Sequence, residues 1–184
     1  MIRPMPQARI QRYNKMGLAN QASLCDPSLD FANARLRDLV ALYAEVRGDR
    51  AMPMRADFSA RRLAPHLRNL TFVDRVVEPG RPRRYRFRYF GSGMARYSAD
   101  HTGKFLDEVV PEPFLANWNE SWDMPLELAM PLRYVTRFQS LQIEYIAMES
   151  FNGPLCDEAG TPCALLVSSE ALPAVIATPA AAAR

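Results

Sequence analysis

Apolar and polar residues alternate in two neighbouring segments, 69–77 and 84–90, and a Glu-Pro-Gly-Arg-Pro turn sequence separates them. Strict alternation is typical of antiparallel strands with one buried face, so these segments predict a β-hairpin. In the first strand, one face is expected to carry Leu70, Phe72, Asp74 and Val76. In the second strand, the aromatic side is expected to carry Tyr85, Phe87 and Tyr89, and the opposite side Arg84, Arg86 and Arg88.

A helical spacing precedes the hairpin over residues 27–47, where apolar residues recur every three or four positions. Asp26 and Pro27 are suited to start this helix, and Gly48 is suited to end it. The helix either lies on the sheet of its own domain or pairs with a partner. For partner or dimer contacts we single out Leu29, Leu36, Leu39, Tyr43 and Val46. A shorter helical stretch at 59–67 is expected to break at Pro65.

The second half of the chain predicts a longer helix and three further strands. The helix begins near Glu112 and is expected to end or kink at Pro125. The strands are predicted at 132–138, 142–151 and 163–169, with a turn over 152–160 between the last two. Two strands, then helices, then three strands predict an α+β fold, with a five-stranded antiparallel sheet and helices on one face.

This order of elements resembles the PAS family. Two stretches carry the resemblance, DLVALYAEVRGDRAMPMRADFSARRLAPHLRNLTFVD and RYRFRYFGSGMARYSADHTGKFLDEV. Both are similar to a bacterial family of compact, often stand-alone PAS proteins, over about residues 36–169. The resemblance implies signal perception or partner docking, with output through dimerisation or a bound partner.

Three parts are expected along the chain. Residues 1–25 are expected to form a flexible basic arm, and 173–184 a disordered alanine-rich tail. The PAS-like domain is expected to span 26–172, with a flanking amphipathic helix at 26–48 and the PAS core at 69–169.

Composition and the absence of targeting patterns predict the cellular compartment of the protein. The 184 residues carry a net charge of +3, with no signal-peptide pattern and no apolar run long enough for a membrane span. Three cysteines are too few for a disulfide scaffold, so we expect a cytoplasmic protein. Cys156 and Cys163 could meet across a hairpin, and two inert thiols are the alternative to a redox bridge there.

Catalytic and cofactor motifs are not apparent. His66 and His101 have no ligand-like pairing for zinc, and neither a phosphate-binding glycine loop nor a nucleophile elbow occurs. We therefore expect a non-enzymatic protein with no evident cofactor, although an unknown small-molecule ligand remains possible. The enzymatic alternative is a small cavity enzyme that uses a buried acid, Asp74 or Glu144, as a base.

Aromatic and methionine side chains are enriched in the segments that surround the cavity of a PAS domain. They form either an ordinary core or a cavity for a small apolar or aromatic ligand. The candidate cavity residues are Met94, Tyr97, Phe114, Trp118, Trp122, Tyr134, Phe138, Tyr145 and Met148.

The partner is expected to be a second copy of the chain or a signalling protein, which would receive the output in trans. We expect no membrane or nucleic-acid partner. The alternative is a nucleic-acid-binding regulator that uses the basic hairpin, whose arginines are Arg81, Arg83, Arg84, Arg86 and Arg88.

Overall fold

Six antiparallel strands form one sheet in the computed structural model, which describes residues 6–16, 23–138 and 146–172. The strands lie in the order β1-β4-β5-β6-β2-β3. Their bounds are β1 Ser23–Asp26, β2 Leu70–Val76, β3 Arg84–Phe90, β4 Leu132–Phe138, β5 Ile146–Cys156 and β6 Pro162–Ala171. The helices are α1 Pro6–Lys15, α2 Ala34–Arg47, α3 Ala60–Leu63 and α4 Glu112–Leu128. Single 3₁₀ turns occupy Arg55–Asp57, Leu67–Asn69, Met94–Arg96 and Leu106–Glu108.

The predicted α+β class is confirmed, because the chain forms one antiparallel sheet with helices packed against it. The sheet has six strands where five were predicted. The additional strand is β1, which pairs with β4 at the edge of the sheet.

Each face of the sheet is covered by a different helix: α4 of the predicted core covers one face, and α2, from the predicted flanking helix, covers the other, so the helices are not confined to one face. On one face, α2 packs against β5 and β6, and the core there includes Leu36, Leu39, Tyr43, Leu70, Phe151 and Leu166. On the other face, α4 packs against the same two strands, and the core includes Val73, Tyr85, Phe87, Trp122, Leu126 and Leu165. Side chains alternate across a strand, so neighbouring residues of one strand serve different cores.

A bulge changes the predicted faces of the hairpin. Phe72 pairs with Tyr89, but the next residue, Val73, pairs with Phe87, so Arg88 is an extra residue in β3. Phe87 therefore packs against Trp122 on the α4 side, whereas Tyr89 packs on the α2 side. The Tyr89 hydroxyl donates to the carbonyl of Leu67 at 2.9 Å. The expectation of a single aromatic side for β3 is wrong at Tyr89.

The start of α2 differs from the prediction because a buried carboxylate holds the preceding segment. The side chain of Glu149 is fully buried and accepts the backbone N–H groups of Ala32 and Asn33, each at 3.0 Å. Arg133 donates to the same carboxylate at 2.8 Å. Asn33 then caps the helix by accepting from the N–H of Arg35. The helix consequently begins at Ala34 instead of near residue 27.

Asp26, the predicted cap, has another role. Its carboxylate accepts the backbone N–H of Ser28 at 2.8 Å in a local turn, and it pairs with Arg133 at 2.9 Å. The same arginine therefore links β1, β4 and the start of α2.

α4 continues past Pro125, although that residue was expected to end or kink it. A proline inside a helix leaves the carbonyl four residues earlier without its donor, in this helix the carbonyl of Ser121. The hydroxyl of Tyr134 donates to that carbonyl at 2.8 Å. The neighbouring strand thus supplies the hydrogen bond that proline removes.

Part of the stretch predicted as a flexible arm is ordered in the described residues. In α1, Ile10 and Tyr13 pack with Cys25, Met124 and Tyr134. The side chain of Asn14 accepts the N–H of Cys25 at 2.7 Å and donates to its carbonyl at 3.0 Å. This amide occupies the place of a neighbouring strand at the edge of β1. The predicted boundaries of the domain stay predictions, and the tail 173–184 lies outside the described residues.

The last hairpin is longer than predicted, since β5 runs to Cys156 and the turn is confined to about 157–161. All three cysteines are free thiols. None of the helices in the described ranges has the length and hydrophobicity needed to cross a membrane.

We expect Glu149→Gln to destabilise the protein by about 3 kcal/mol, because it leaves a partly buried arginine opposite a neutral amide and removes an acceptor from the start of α2. Urea unfolding would measure the change. The control is Asp107→Asn, since Asp107 pairs with Arg84 at the surface and should matter by less than about 1 kcal/mol. Equal unfolding midpoints for the two variants would contradict the role assigned to Glu149.

Candidate functional site

A cavity of about 270 Å³ lies between α4 and the sheet. The sheet contributes side chains of β2 to β6, and the segment between β3 and α4 closes the remaining sides. We call this space the aromatic cavity. It is lined by Thr71, Phe87, Phe90, Met94, Tyr97, Ser98, His101, Leu106, Val109, Val110, Pro111, Phe114, Trp118, Trp122, Thr136, Met148, Ser150, Val167 and Ser169.

Aromatic rings on one side of this cavity pack edge to face. The ring centroids of Trp118 and Trp122 are 5.6 Å apart, and those of Trp122 and Phe87 are 5.5 Å apart, with interplanar angles of 84° and 81°. The series continues from Phe87 to Phe90 at 5.5 Å. Edge-to-face contacts fix each ring against the next, so the cavity has a preformed aromatic surface.

A smaller, polar space of about 60 Å³ adjoins the aromatic cavity. We call it the polar chamber. The two spaces meet, because six residues line both: Trp118, Trp122, Thr136, Ser150, Val167 and Ser169. The chamber is completed by Tyr13, Ser23, Asn117, Ser121, Tyr134 and Asn152.

Most polar groups of the chamber bond to one another. The Tyr13 hydroxyl donates to Ser23 Oγ at 2.9 Å, and Ser23 Oγ lies 3.0 Å from Thr136 Oγ1. Across the sheet, the hydroxyl oxygens of Ser150 and Ser169 are 2.7 Å apart. In each hydroxyl pair one O–H group is the donor, so the hydroxyl groups satisfy one another in part.

Asn152 is the exception in the chamber. Its side chain is 3% exposed, and its Oδ1 atom is buried with no hydrogen-bond partner among the described residues. An unpartnered buried acceptor costs about 1–3 kcal/mol, so native proteins rarely keep one without a reason. A residue that lines the chamber therefore carries an amide oxygen whose hydrogen-bonding capacity is unmet.

His101 stands at the opposite, loop side of the aromatic cavity. Its ring lies against Phe90, with centroids 5.1 Å apart, and its Nδ1 atom is buried without a partner among the described residues. Burial lowers the pKa of His101 below the ordinary histidine value, and the nearby Lys104 lowers it further, while Asp100 opposes them. The neutral form of the imidazole is thereby favoured at neutral pH.

The lining contains no carboxylate, lysine or arginine. Apart from His101, no residue of either space could therefore neutralise a phosphate or a carboxylate. Nor do the described residues hold any group of three histidine, cysteine or acidic side chains arranged for a metal ion.

Six of the nine candidate cavity residues line the aromatic cavity: Met94, Tyr97, Phe114, Trp118, Trp122 and Met148. Tyr134 lines the polar chamber. Tyr145 and the side chain of Phe138 lie outside the described part of the structure. Whether any of the nine binds a ligand stays a prediction.

The polar residues of the site were not anticipated. Met148, Ser150 and Asn152 are every second residue along β5. Because side chains alternate between the two faces of a strand, all three lie on the same face. The sequence feature that could have indicated them is this pair of polar residues, Ser150 and Asn152, on one face of a strand that is otherwise largely apolar.

The residues proposed for partner contacts are used inside the chain. Leu36, Leu39 and Tyr43 are buried in the core on the α2 face of the sheet, and Leu29 and Val46 pack at its margin. The Tyr43 hydroxyl donates to the carbonyl of Pro154 at 2.6 Å. Of the two interpretations of this helix, the structure shows the one in which it lies on its own sheet, and any assembly stays a prediction.

The hairpin arginines all contact acidic side chains. Arg83 pairs with the buried Asp123, Arg84 with Asp107, and Arg81 with Glu78. Arg86 and Arg88 both pair with Asp74, at 3.3 Å and 2.9 Å. Asp74 is thus engaged in ion pairs and does not line the cavity. Glu144, the other candidate base, lies outside the described residues.

Another depression, of about 540 Å³, lies where α1 meets the end of α4. Arg9 and Arg75 line it, and both approach Glu127, at 2.7 Å and 3.8 Å. Because the carboxylate balances these arginines and no aromatic ring lines the space, it is a weaker candidate than the aromatic cavity.

Comparison with known proteins gives a likeness of fold. The chain matches no established protein-family profile and no curated protein. Among solved structures, one described as an RNA-binding Light-Oxygen-Voltage receptor is similar over 81% of this chain, with 11% sequence identity and a TM-score of 0.42. The likeness spans 38% of that receptor chain.

We expect the stability of the protein to fall between pH 7 and pH 5 because of its histidines. The folded state lowers the pKa of His101 and of His66, in both cases chiefly through burial. The unfolded chain therefore takes up protons first, near pH 6.5, and the folded state loses stability as the pH falls from there through the lowered values.

Urea unfolding at the two pH values would measure this loss, and His101→Gln should reduce it. A histidine NMR titration should place the His101 midpoint below 6.5. A midpoint at or above 6.5 would contradict the burial of this imidazole.

Proposed function

We propose that this protein is a bacterial, cytoplasmic sensory module that takes a small molecule into the aromatic cavity and passes the change in trans to a second copy or a signalling protein. The supporting observation is the cavity itself. A preformed, mainly apolar space with a few polar groups is the usual form of a small-molecule site. This one lies between α4 and the sheet, and the adjoining polar chamber is lined by Asn152, whose Oδ1 atom has no partner among the described residues. In this proposal the protein binds and does not catalyse.

Binding would be transmitted through the N-terminal segment. Tyr13 of α1 and Ser23 of β1 complete the polar chamber, and Asn117 of α4 donates to the Tyr13 hydroxyl at 3.3 Å. Arg9 of α1 also pairs with Glu120 of α4 at 2.8 Å. A ligand that changes these contacts binds the docked and displaced positions of α1 with different affinity, which is the condition for shifting their populations.

The proposal predicts that filling the aromatic cavity abolishes binding. Val167 lines both spaces, so Val167→Trp should occupy much of the volume. Native mass spectrometry of gently purified protein would look for a co-purified small molecule, and a thermal-shift screen of small apolar compounds would follow if none is present. We expect wild type to bind and Val167→Trp to lose the ligand.

The control is Leu24→Trp, which adds the same side chain at a position that is 55% exposed on the edge strand. Val167→Phe replaces Val167→Trp if the larger residue prevents folding. Equal binding by wild type and a folded cavity-filling variant would refute the site. Wild type that carries nothing and responds to no compound would refute the sensory proposal.

The route of transmission predicts a second effect. Hydrogen exchange of the α1 amides should change when the cavity is occupied. Tyr13→Phe removes the hydroxyl that contacts Ser23 and Asn117, so it should reduce that change while ligand affinity falls by less than tenfold, about the contribution of one hydrogen bond. If hydrogen exchange of the α1 amides in wild type is the same with and without ligand, this route is excluded.

A further inference from the structure

The shape of the aromatic cavity limits the size of its occupant. A cavity of about 150 Å³ in another protein accommodates benzene, so a cavity of about 270 Å³ accommodates one substituted ring or two fused rings. This inference about the ligand rests on the proposed function of the preceding subsection.

The charge of the lining limits the chemistry. Neither space has an acidic or basic side chain apart from His101, and a buried charge without a partner is strongly unfavourable. Carboxylates, phosphates and ammonium groups are therefore disfavoured inside, and an uncharged occupant is favoured. The edge-to-face rings of Trp118, Trp122 and Phe87 favour a ring as its main part.

The open acceptor decides the polar end. Asn152 Oδ1 can accept a hydrogen bond and cannot donate one, and the serine and threonine hydroxyls around it already pair with one another. A ligand group that satisfies Asn152 Oδ1 must carry O–H or N–H. His101 Nδ1 is also unpartnered, but a neutral imidazole nitrogen donates or accepts according to its tautomer and selects neither.

We infer that the ligand is a small, uncharged aromatic molecule with one hydrogen-bond donor, of the phenol or indole class, whose ring occupies the aromatic cavity and whose donor reaches Asn152 Oδ1 in the polar chamber. Selectivity comes from the acceptor, because a compound without a donor leaves it unsatisfied. A site built around a hydrogen bond discriminates strongly against analogues that lack the group.

Three para-substituted probes of similar size separate these effects. p-Cresol carries a donor, 4-methylanisole carries only an acceptor, and p-xylene carries neither. Isothermal titration calorimetry on the full chain should give p-cresol at least tenfold tighter binding than the other two. Binding of 4-methylanisole or p-xylene within threefold of p-cresol would overturn the inference.

Asn152→Leu tests the assigned residue. Loss of the acceptor should weaken p-cresol at least tenfold and leave p-xylene unchanged or tighter, so the preference disappears. A purely structural role for Asn152 would weaken all three probes together, and that result would overturn the assignment. Asn152→Ala serves if the leucine variant does not fold, and Leu24→Trp is the control that should keep the wild-type preference.

The two proposals fail in different ways. If charged compounds bind in the cavity and none of the three probes does, the ligand chemistry is wrong and the sensory function stands. If Val167→Trp and wild type behave alike toward every compound, the site itself is wrong and the ligand inference falls with it.

Discussion

One sheet with both faces buried is the constraint on which the rest of this structure depends. α2 and α4 cover opposite faces of β5 and β6, so each of these strands must supply two cores from alternating residues. On the α2 side, Phe151 and Leu155 are large and close-packed. On the α4 side, β5 offers Ser150 and Asn152, which are too short to fill the space below the tryptophans, and the two cavities lie there. The site thus arises where one face of the sheet is underfilled while the other holds the fold together.

Two buried polar groups of the fold are satisfied by partners distant in sequence. Glu149 takes two backbone N–H groups that lie 117 and 116 positions away and binds Arg133 on the next strand. Tyr134 donates to the helix carbonyl that Pro125 leaves without a donor. Among the described residues, four buried side-chain atoms have no partner, Arg47 Nε, Arg75 Nε, His101 Nδ1 and Asn152 Oδ1, and the last is the one oxygen among them. Because the same interior satisfies the carboxylate of Glu149, the open acceptor is better understood as a feature of the cavity than as a general looseness of packing.

The spacing of apolar residues predicted those helices and strands whose bounds depend on residues close together in the sequence. β3 and β4 have the predicted bounds, and α4 begins at the predicted Glu112, because alternation and helical spacing record which side of an element is buried. The aromatic part of the cavity followed from the same spacing of Phe114, Trp118 and Trp122. The bulge at Arg88 could not be predicted, because arginine and aromatic residues continue to alternate in the sequence on both sides of it. Nor could the start of α2 or the ordering of β1, which depend on Glu149 and on the side chain of Asn14, and neither partner is marked by a nearby pattern.

The position of the N-terminal segment gives the cavity a physical route to the surface. α1 has few buried residues of its own, Ile10 and Tyr13, and its remaining ties are ion pairs to α4 and the Asn14 contacts to β1. Such a segment has a small free energy of docking compared with the sheet, since local stability follows the number of buried apolar contacts. One of its two buried side chains, Tyr13, is also part of the polar chamber. In the proposed function, a ligand in the chamber would act on an element with few buried contacts, and a modest binding energy would be enough to change its position.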